Sequence, residues 1–188
     1  MIFQAPDQVI GEAPTSEGNL QGIKRRNPVD PLKSKQITVL LAEDQASFRK
    51  SLKLLIELDG DIEVVGEAKN GLEAVRNAKN LKPDAIVMDI AMPLLNGLEA
   101  TRQIMEILPA TRVLILSAHP DPEYIKQAMT LGASGYLLKQ SSTQFLAEAI
   151  RTVLRNGTYF SQSISKLLRD QCQKLFVKSE LLKRPRLG

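Results

Sequence analysis

The residues able to do chemistry sit where apolar runs stop. Ile37 to Ala42 leads into Glu43 and Asp44. Ala85 to Met88 leads into Asp89, with Pro93 four residues on. Val113 to Leu116 leads into Ser117, and Tyr136 to Leu138 leads into Lys139. Carboxylates brought close together raise one another's pKa and cost stability. A hard divalent cation relieves this, and oxygen ligands with retained waters favour Mg²⁺. An aspartate beside Mg²⁺ suits phosphate chemistry, in which Asp89 would be a nucleophile forming an aspartyl phosphate. Mg²⁺ and the Lys139 ammonium would neutralise charge on the phosphoryl oxygens, a task for which a point charge is enough. Ser117 would donate one hydrogen bond. Taken singly, each residue also fits a blander role, such as a helix cap or a solvated loop residue. The combination carries weight only if the fold brings all of them to one edge.

The pattern between these residues says that it does. "ITVLLA" (37–42), "IEVVGEA" (62–68), "DAIVMD" (84–89), "RVLILSA" (112–118) and "SGYLLK" (134–139) read as strands. Helices are expected over 45–58, 70–81, 96–108, 121–133 and 142–157, from apolar residues at helical spacing. Their inward stripes are Phe48, Leu52, Leu55 and Ile56; Leu72, Val75 and Ala78; Leu98, Thr101, Ile104 and Leu108; and Phe145, Ala149, Ile150 and Val153. Pro109, Gly132 and Gly157 act as stops. Continuous apolar strands joined by single helices imply a parallel sheet covered on both faces. The expected fold is α/β, a doubly wound five-stranded sheet of flavodoxin-like order 2-1-3-4-5. In such sheets ligands bind at the carboxyl ends of the strands, where connections diverge to opposite faces. Glu43, Asp44, Asp89, Ser117 and Lys139 all occupy that edge.

The flanks differ. Residues 1–36 hold four prolines and three glycines with no apolar period, and are expected to be a disordered extension. Its "KRR" (24–26) reads as solvated charge. After Gly157, residues Ile164, Leu167, Leu168, Cys172, Leu175 and Phe176 recur at helical spacing, so an extra C-terminal helix is expected over about 162–178, followed by a basic tail. Its apolar stripe needs a partner, either the main domain or a second chain. The net charge of +4 sits in the flanks: residues 37–156 carry thirteen basic and fifteen acidic residues, against seven and two over 157–188. The basic balance is therefore not a nucleic-acid face on the main domain.

The 43% hydrophobic and 24% charged composition is that of a soluble globular chain. No run approaches the ~18 apolar residues of a membrane span, and the N-terminus lacks a secretory apolar core. A cytoplasmic protein is expected. Its single cysteine rules out an internal disulfide, and one His with one Cys gives no zinc site of that type.

"VLLAEDQ", "IVMDIAMPLLNGLEATRQI", "VLILSAH" and "GASGYLLKQ" resemble the receiver domain of two-component response regulators. "NGLEATRQI", "GASGYLLK" and "GTYFSQSI" resemble its LuxR/FixJ-type subfamily, and the likeness spans about residues 36–160. The resemblance implies that Asp89 accepts a phosphoryl group from the phosphohistidine of a sensor histidine kinase. It implies that Glu43, Asp44, Asp89 and the backbone carbonyl of Ala91 hold Mg²⁺. Ser117 matches the switch hydroxyl, Lys139 the family's lysine, and Tyr136 the aromatic whose rotamer follows that hydroxyl. Pro93 and Gly97 match the loop after the acceptor. Gln140 departs from the proline or aspartate-type residue that often follows the lysine. On its own residues, Tyr136 reads first as an aromatic packed on a helix, and His119 as a surface-loop residue near the site mouth.

The resemblance also sets up alternatives. LuxR/FixJ-type regulators usually continue into a four-helix DNA-binding domain, whereas 31 residues follow Gly157, room for one helix and not a helix-turn-helix module. DNA binding by this chain is not expected. The expected domains are an extension (1–36), a receiver (37–157) and a linker-type helix with tail (158–188). The expected function is a phosphorylatable switch acting through partner or dimer contacts, by the fourth-helix/fifth-strand face or the C-terminal helix. The alternatives are a truncated transcriptional regulator and a Mg²⁺-dependent phosphohydrolase of the haloacid-dehalogenase type. The latter needs a second aspartate two residues after the nucleophile, where this sequence has Ala91.

Overall fold

Strands form where branched and long aliphatic residues run together, and helices where the apolar period lengthens. The computed structural model describes residues 36–171. The elements are β1 (Ile37–Ala42), α1 (Ala46–Glu57), β2 (Ile62–Ala68), α2 (Gly71–Leu81), β3 (Ala85–Asp89), α3 (Gly97–Ile107), β4 (Arg112–Ser117), α4 (Pro122–Thr130), β5 (Gly135–Leu138), a short α5 (Lys139–Ser142), a 3₁₀ turn (Thr143–Phe145), α6 (Leu146–Asn156) and β6 (Tyr159–Phe160). A last helix, α7, is described over residues 162–171. The strands pair in the order β2-β1-β3-β4-β5-β6, every pair parallel. This is the expected order 2-1-3-4-5, extended by one two-residue strand.

Alternate strand residues face opposite sides, and both sides are covered. Leu40, Ile86, Met88 and Ile115 pack with Ala74, Ala100, Ile104 and Ala128 of α2, α3 and α4. Val39, Leu41, Val87 and Leu116 pack with Leu52, Ile56, Ala149 and Val153 of α1 and α6. Each fully buried aliphatic side chain contributes about 1.5–3 kcal/mol before entropy is charged against it. Polar ties set the register at the amino ends of the strands. Thr38 donates through its backbone N (2.9 Å) and Oγ1 (2.8 Å) to Asp84 Oδ2. Arg151 of α6 reaches both oxygens of Asp61 and holds that carboxyl below its usual pKa.

Several details correct the sequence expectations. Leu72 is 53% exposed; the buried stripe of α2 is Gly71, Ala74 and Ala78, because the helix sits close enough that only small residues fit. Phe145 is also exposed, since it lies in the 3₁₀ turn and α6 begins at the buried Leu146. Leu55 lies at the edge of its stripe and is half-exposed. Lys139 opens α5 and does not end β5, whose pairing with β4 stops at Ser117–Leu138. β6 pairs Tyr159 with Gly135 and Phe160 with Tyr136. A Cβ on Gly135 would strike the Tyr159 carbonyl oxygen, so this approach needs glycine. On α7, Ile164 is fully buried, and Leu167 and Leu168 pack on the α3–α4 side of the core. The described part of that stripe therefore finds its partner within the chain. Residues 1–35, Cys172, Leu175, Phe176 and the basic tail lie outside the described residues. No described helix is long and apolar enough to cross a membrane.

Candidate functional site

β1 and β3 are neighbours from which the chain departs to opposite sides of the sheet, so a crevice opens beyond their carboxyl ends. The ends of β1 and β3 place Glu43, Asp44 and Asp89 there. One carboxylate oxygen of each lies within 4.8 Å of the others. Glu43 and Asp89 are buried, at 1% and 3% exposure, and Asp44 is exposed. Lys139 Nζ stands 2.8 Å from Glu43 Oε2 and 3.0 Å from Asp89 Oδ2. It also lies 5.1 Å from the centre of the Phe48 ring, a cation–π distance.

The charges are strongly coupled. Burial pushes the Glu43 carboxyl above its usual pKa; Lys139 pulls it down, and the Asp89 charge pushes it up again. Burial works to lower the Lys139 pKa, but Glu43 and Asp89 outweigh it and the net shift is upward. Glu43 Oε1 accepts from the Gln45 backbone N at 3.3 Å. Glu43 Oε2 is buried and has no hydrogen bond, although the ammonium is near. That contact is an ion pair by distance, without the direction of a hydrogen bond. Three carboxylates within 4.8 Å of one another, two of them buried, with the Lys139 ammonium beside them, fit a hard divalent cation such as Mg²⁺, which takes oxygen ligands.

The loop after Asp89 is tightly fixed. Met92 N and Gly97 N both donate to the Ile90 carbonyl, at 3.0 and 2.9 Å. A Cβ on Gly97 would collide with the Asp89 carbonyl oxygen, so only glycine lets α3 start this close to β3. Asn96 caps α3, its Oδ1 accepting from Glu99 N at 2.9 Å. Leu94 turns through φ +65°, and Pro93 sits exposed beside it. On the other side, Ser117 Oγ accepts from His119 N at 3.2 Å and lies 3.4 Å from the His119 carbonyl oxygen. Tyr136 is fully buried and donates its hydroxyl to the same carbonyl at 3.0 Å. Burial raises its pKa, and the Ser117 hydroxyl partly offsets this.

A cleft of about 730 Å³ is lined by Asp44, Asp89, Ala91, Ser117, His119 and Lys139, with α3 and α4 continuing its walls. The fold thus gathers the sequence-predicted residues at one edge. Glu43 and Tyr136 do not line the cleft: Glu43 is buried next to Lys139, and Tyr136 is linked through His119. His119 is both exposed and at the cleft. Two neighbours were not singled out from sequence. Phe48 was placed only on the core stripe of α1, yet its ring also faces Lys139. Arg49 donates from Nη1 to the Glu43 carbonyl at 2.6 Å, and its only sequence signal is its place one turn into α1.

Residues 39–151 match the family described as the response regulator receiver domain. The chain is 34% identical over 145 residues to the transcriptional regulatory protein DegU of Brevibacillus brevis, covering 77% of this chain and 61% of that protein. The chain spans about six-tenths of the length of the curated relatives it matches. Among solved structures, it is similar to a two-component response regulator of the LuxR family from Aurantimonas sp. SI85-9A1. That match has 32% identity and a TM-score of 0.69, over 72% of this chain and 97% of the other. The signal receiver domain of the putative response regulator NarL from Mycobacterium tuberculosis is 31% identical with a TM-score of 0.63, over 65% and 99%. The chain belongs to the response regulator receiver family of two-component systems, among its LuxR-type members.

Proposed function

We propose that the chain is a phosphorylatable switch in which Asp89 accepts a phosphoryl group from a sensor histidine kinase. The observation that carries this reading is the cluster itself: three carboxylates at one sheet edge, with Lys139 within 3.0 Å of Asp89 and Glu43. A carboxylate oxygen of Asp89 attacks phosphorus, the nitrogen–phosphorus bond of the donor phosphohistidine breaks, and the imidazole takes a proton as it leaves. Lys139 is positioned to stabilise charge on the transferred group. Glu43, Asp44, Asp89 and the Ala91 carbonyl would hold Mg²⁺, which supplies further neutralisation of the phosphoryl oxygens. The chain turns over no external substrate; its expected chemistry is confined to gaining and losing its own phosphoryl group.

The switch follows from the proton count at Ser117. Its hydroxyl has one proton to donate, and the His119 carbonyl oxygen lies 3.4 Å from Oγ. Donating that proton to a phosphoryl oxygen gives up this contact and draws on the loop that Tyr136 holds. The segment from Ser117 to His119 and the β5 residue Tyr136 are therefore what phosphorylation biases. Output is contact with a partner or a second copy through the α4–β5 face, in the cytoplasm, with residues 37–157 as the receiver unit. Relatives named as transcriptional regulators support a second reading, in which the same switch controls transcription. Incubation with a small acyl phosphate and Mg²⁺ tests the first reading against a phosphohydrolase. A switch takes up about one phosphoryl group per chain and stops, whereas continuous donor consumption without labelled protein sinks the proposal.

A further inference from the structure

The acidic pair leads into α1, whose N-terminus has no side-chain cap. Gln45, at the N-cap of α1, makes no side-chain cap, and the first turn of α1 holds no acidic residue. Arg49 takes over from inside the helix. Its Nη1 donates to the Glu43 carbonyl at 2.6 Å and lies 3.5 Å from the Asp44 carbonyl. Its Nε donates to Glu67 Oε2 at 2.9 Å, and only 17% of its side chain is exposed. Glu67 is the penultimate residue of β2, and Lys53 approaches its other oxygen at 3.7 Å. One planar guanidinium thus ties β2 to the backbone of both acidic residues, a geometry that a lysine ammonium does not reproduce.

We infer that Arg49, oriented by Glu67, is a positioning residue that holds the Glu43–Asp44 backbone in the arrangement that binds Mg²⁺. The inference rests on the metal reading proposed above, and opposing expectations make it testable. Removing a positive charge from the backbone of the acidic pair should tighten cation binding if Arg49 acts only through its charge. Removing the clamp should weaken binding, because ligands freed from their supporting shell lose about 10–100-fold in affinity.

The experiment is calorimetric titration of the full chain with MgCl₂, with thermal melting of each variant in parallel. Arg49→Met is expected to bind Mg²⁺ about tenfold more weakly, with phosphorylation recovering at high Mg²⁺. Arg49→Lys, which keeps the charge and loses the fork, is expected to lie between it and the wild type. Glu67→Gln is expected to weaken binding in the wild-type background and to change nothing in Arg49→Met, because residues that act as a unit are not additive. Tighter or unchanged binding by Arg49→Met overturns the inference, as does an undiminished Glu67→Gln effect in the double variant. If Arg49→Met does not fold, Arg49→Lys and Glu67→Gln decide: wild-type affinity in both overturns the inference, and weakened binding in both supports it. A wild-type chain that binds no Mg²⁺ rejects the metal reading and the inference with it, whereas a wild type that binds with variants that match it rejects the inference alone.

Discussion

Replacing Lys139 with Met should make stability strongly dependent on pH. The ammonium lies 2.8 Å from Glu43 Oε2 and 3.0 Å from Asp89 Oδ2. At an effective dielectric constant near 20 these attractions are about 6 and 5.5 kcal/mol, most of which the desolvation of three charges offsets. Removing one partner from such a buried cluster leaves uncompensated charge, at a cost of about 3–5 kcal/mol near neutral pH without metal. The sign of the pH effect follows from Glu43. Burial already raises its folded-state pKa, and loss of Lys139 raises it further. A carboxyl raised on folding favours the folded state below its unfolded pKa, and that stability is lost as pH rises through the folded value. The deficit of Lys139→Met should therefore shrink at about pH 5 and reach its full size above the raised Glu43 pKa. Denaturant unfolding at both pH values, with and without Mg²⁺, measures it, and Mg²⁺ should stabilise the variant more than the wild type because it replaces the missing charge. A deficit below about 1 kcal/mol at neutral pH, unchanged on acidification, would refute the idea that Lys139 neutralises a buried pair.

Three further outcomes follow from the packing. Gly97→Ala should destabilise the chain by about 3 kcal/mol, because a Cβ meets the Asp89 carbonyl where nothing flexible can give way; an unchanged melt would contradict that contact. Ile164→Ala should cost about 2–5 kcal/mol if α7 is part of the folded unit; a cost near zero in denaturant unfolding would mean that it is not. Tyr136→Phe should lose about 1 kcal/mol from the hydroxyl–His119 bond while leaving Mg²⁺ affinity unchanged; altered affinity by calorimetry would tie Tyr136 directly to the metal site.

The alternation of strands and helices was legible because each parallel strand is buried on both faces and must read as a continuous apolar run. The candidate site residues were legible for the same reason: a polar or charged residue ending such a run stands out, and Glu43, Asp44, Asp89, Ser117 and Lys139 all do. β6 left no comparable mark. Two residues are too few for a period, and the pairing depends on Gly135 permitting the approach of Tyr159. Leu72 and Phe145 misled because spacing gives the direction of a helical stripe but not the helix start or how closely it packs. The clamp by Arg49 was illegible because its partners, the Glu43 carbonyl and Glu67, meet it only after β1, α1 and β2 have assembled.

The central claim is that Asp89 is the phosphoacceptor, and the most direct measurement maps the modified residue. After incubation with a small acyl phosphate and Mg²⁺, peptide mass spectrometry should locate one base-labile phosphoryl group on the peptide carrying Asp89, with none in Asp89→Asn. A phosphoryl group on another residue of the wild-type chain, or undiminished labelling of Asp89→Asn, would contradict the account.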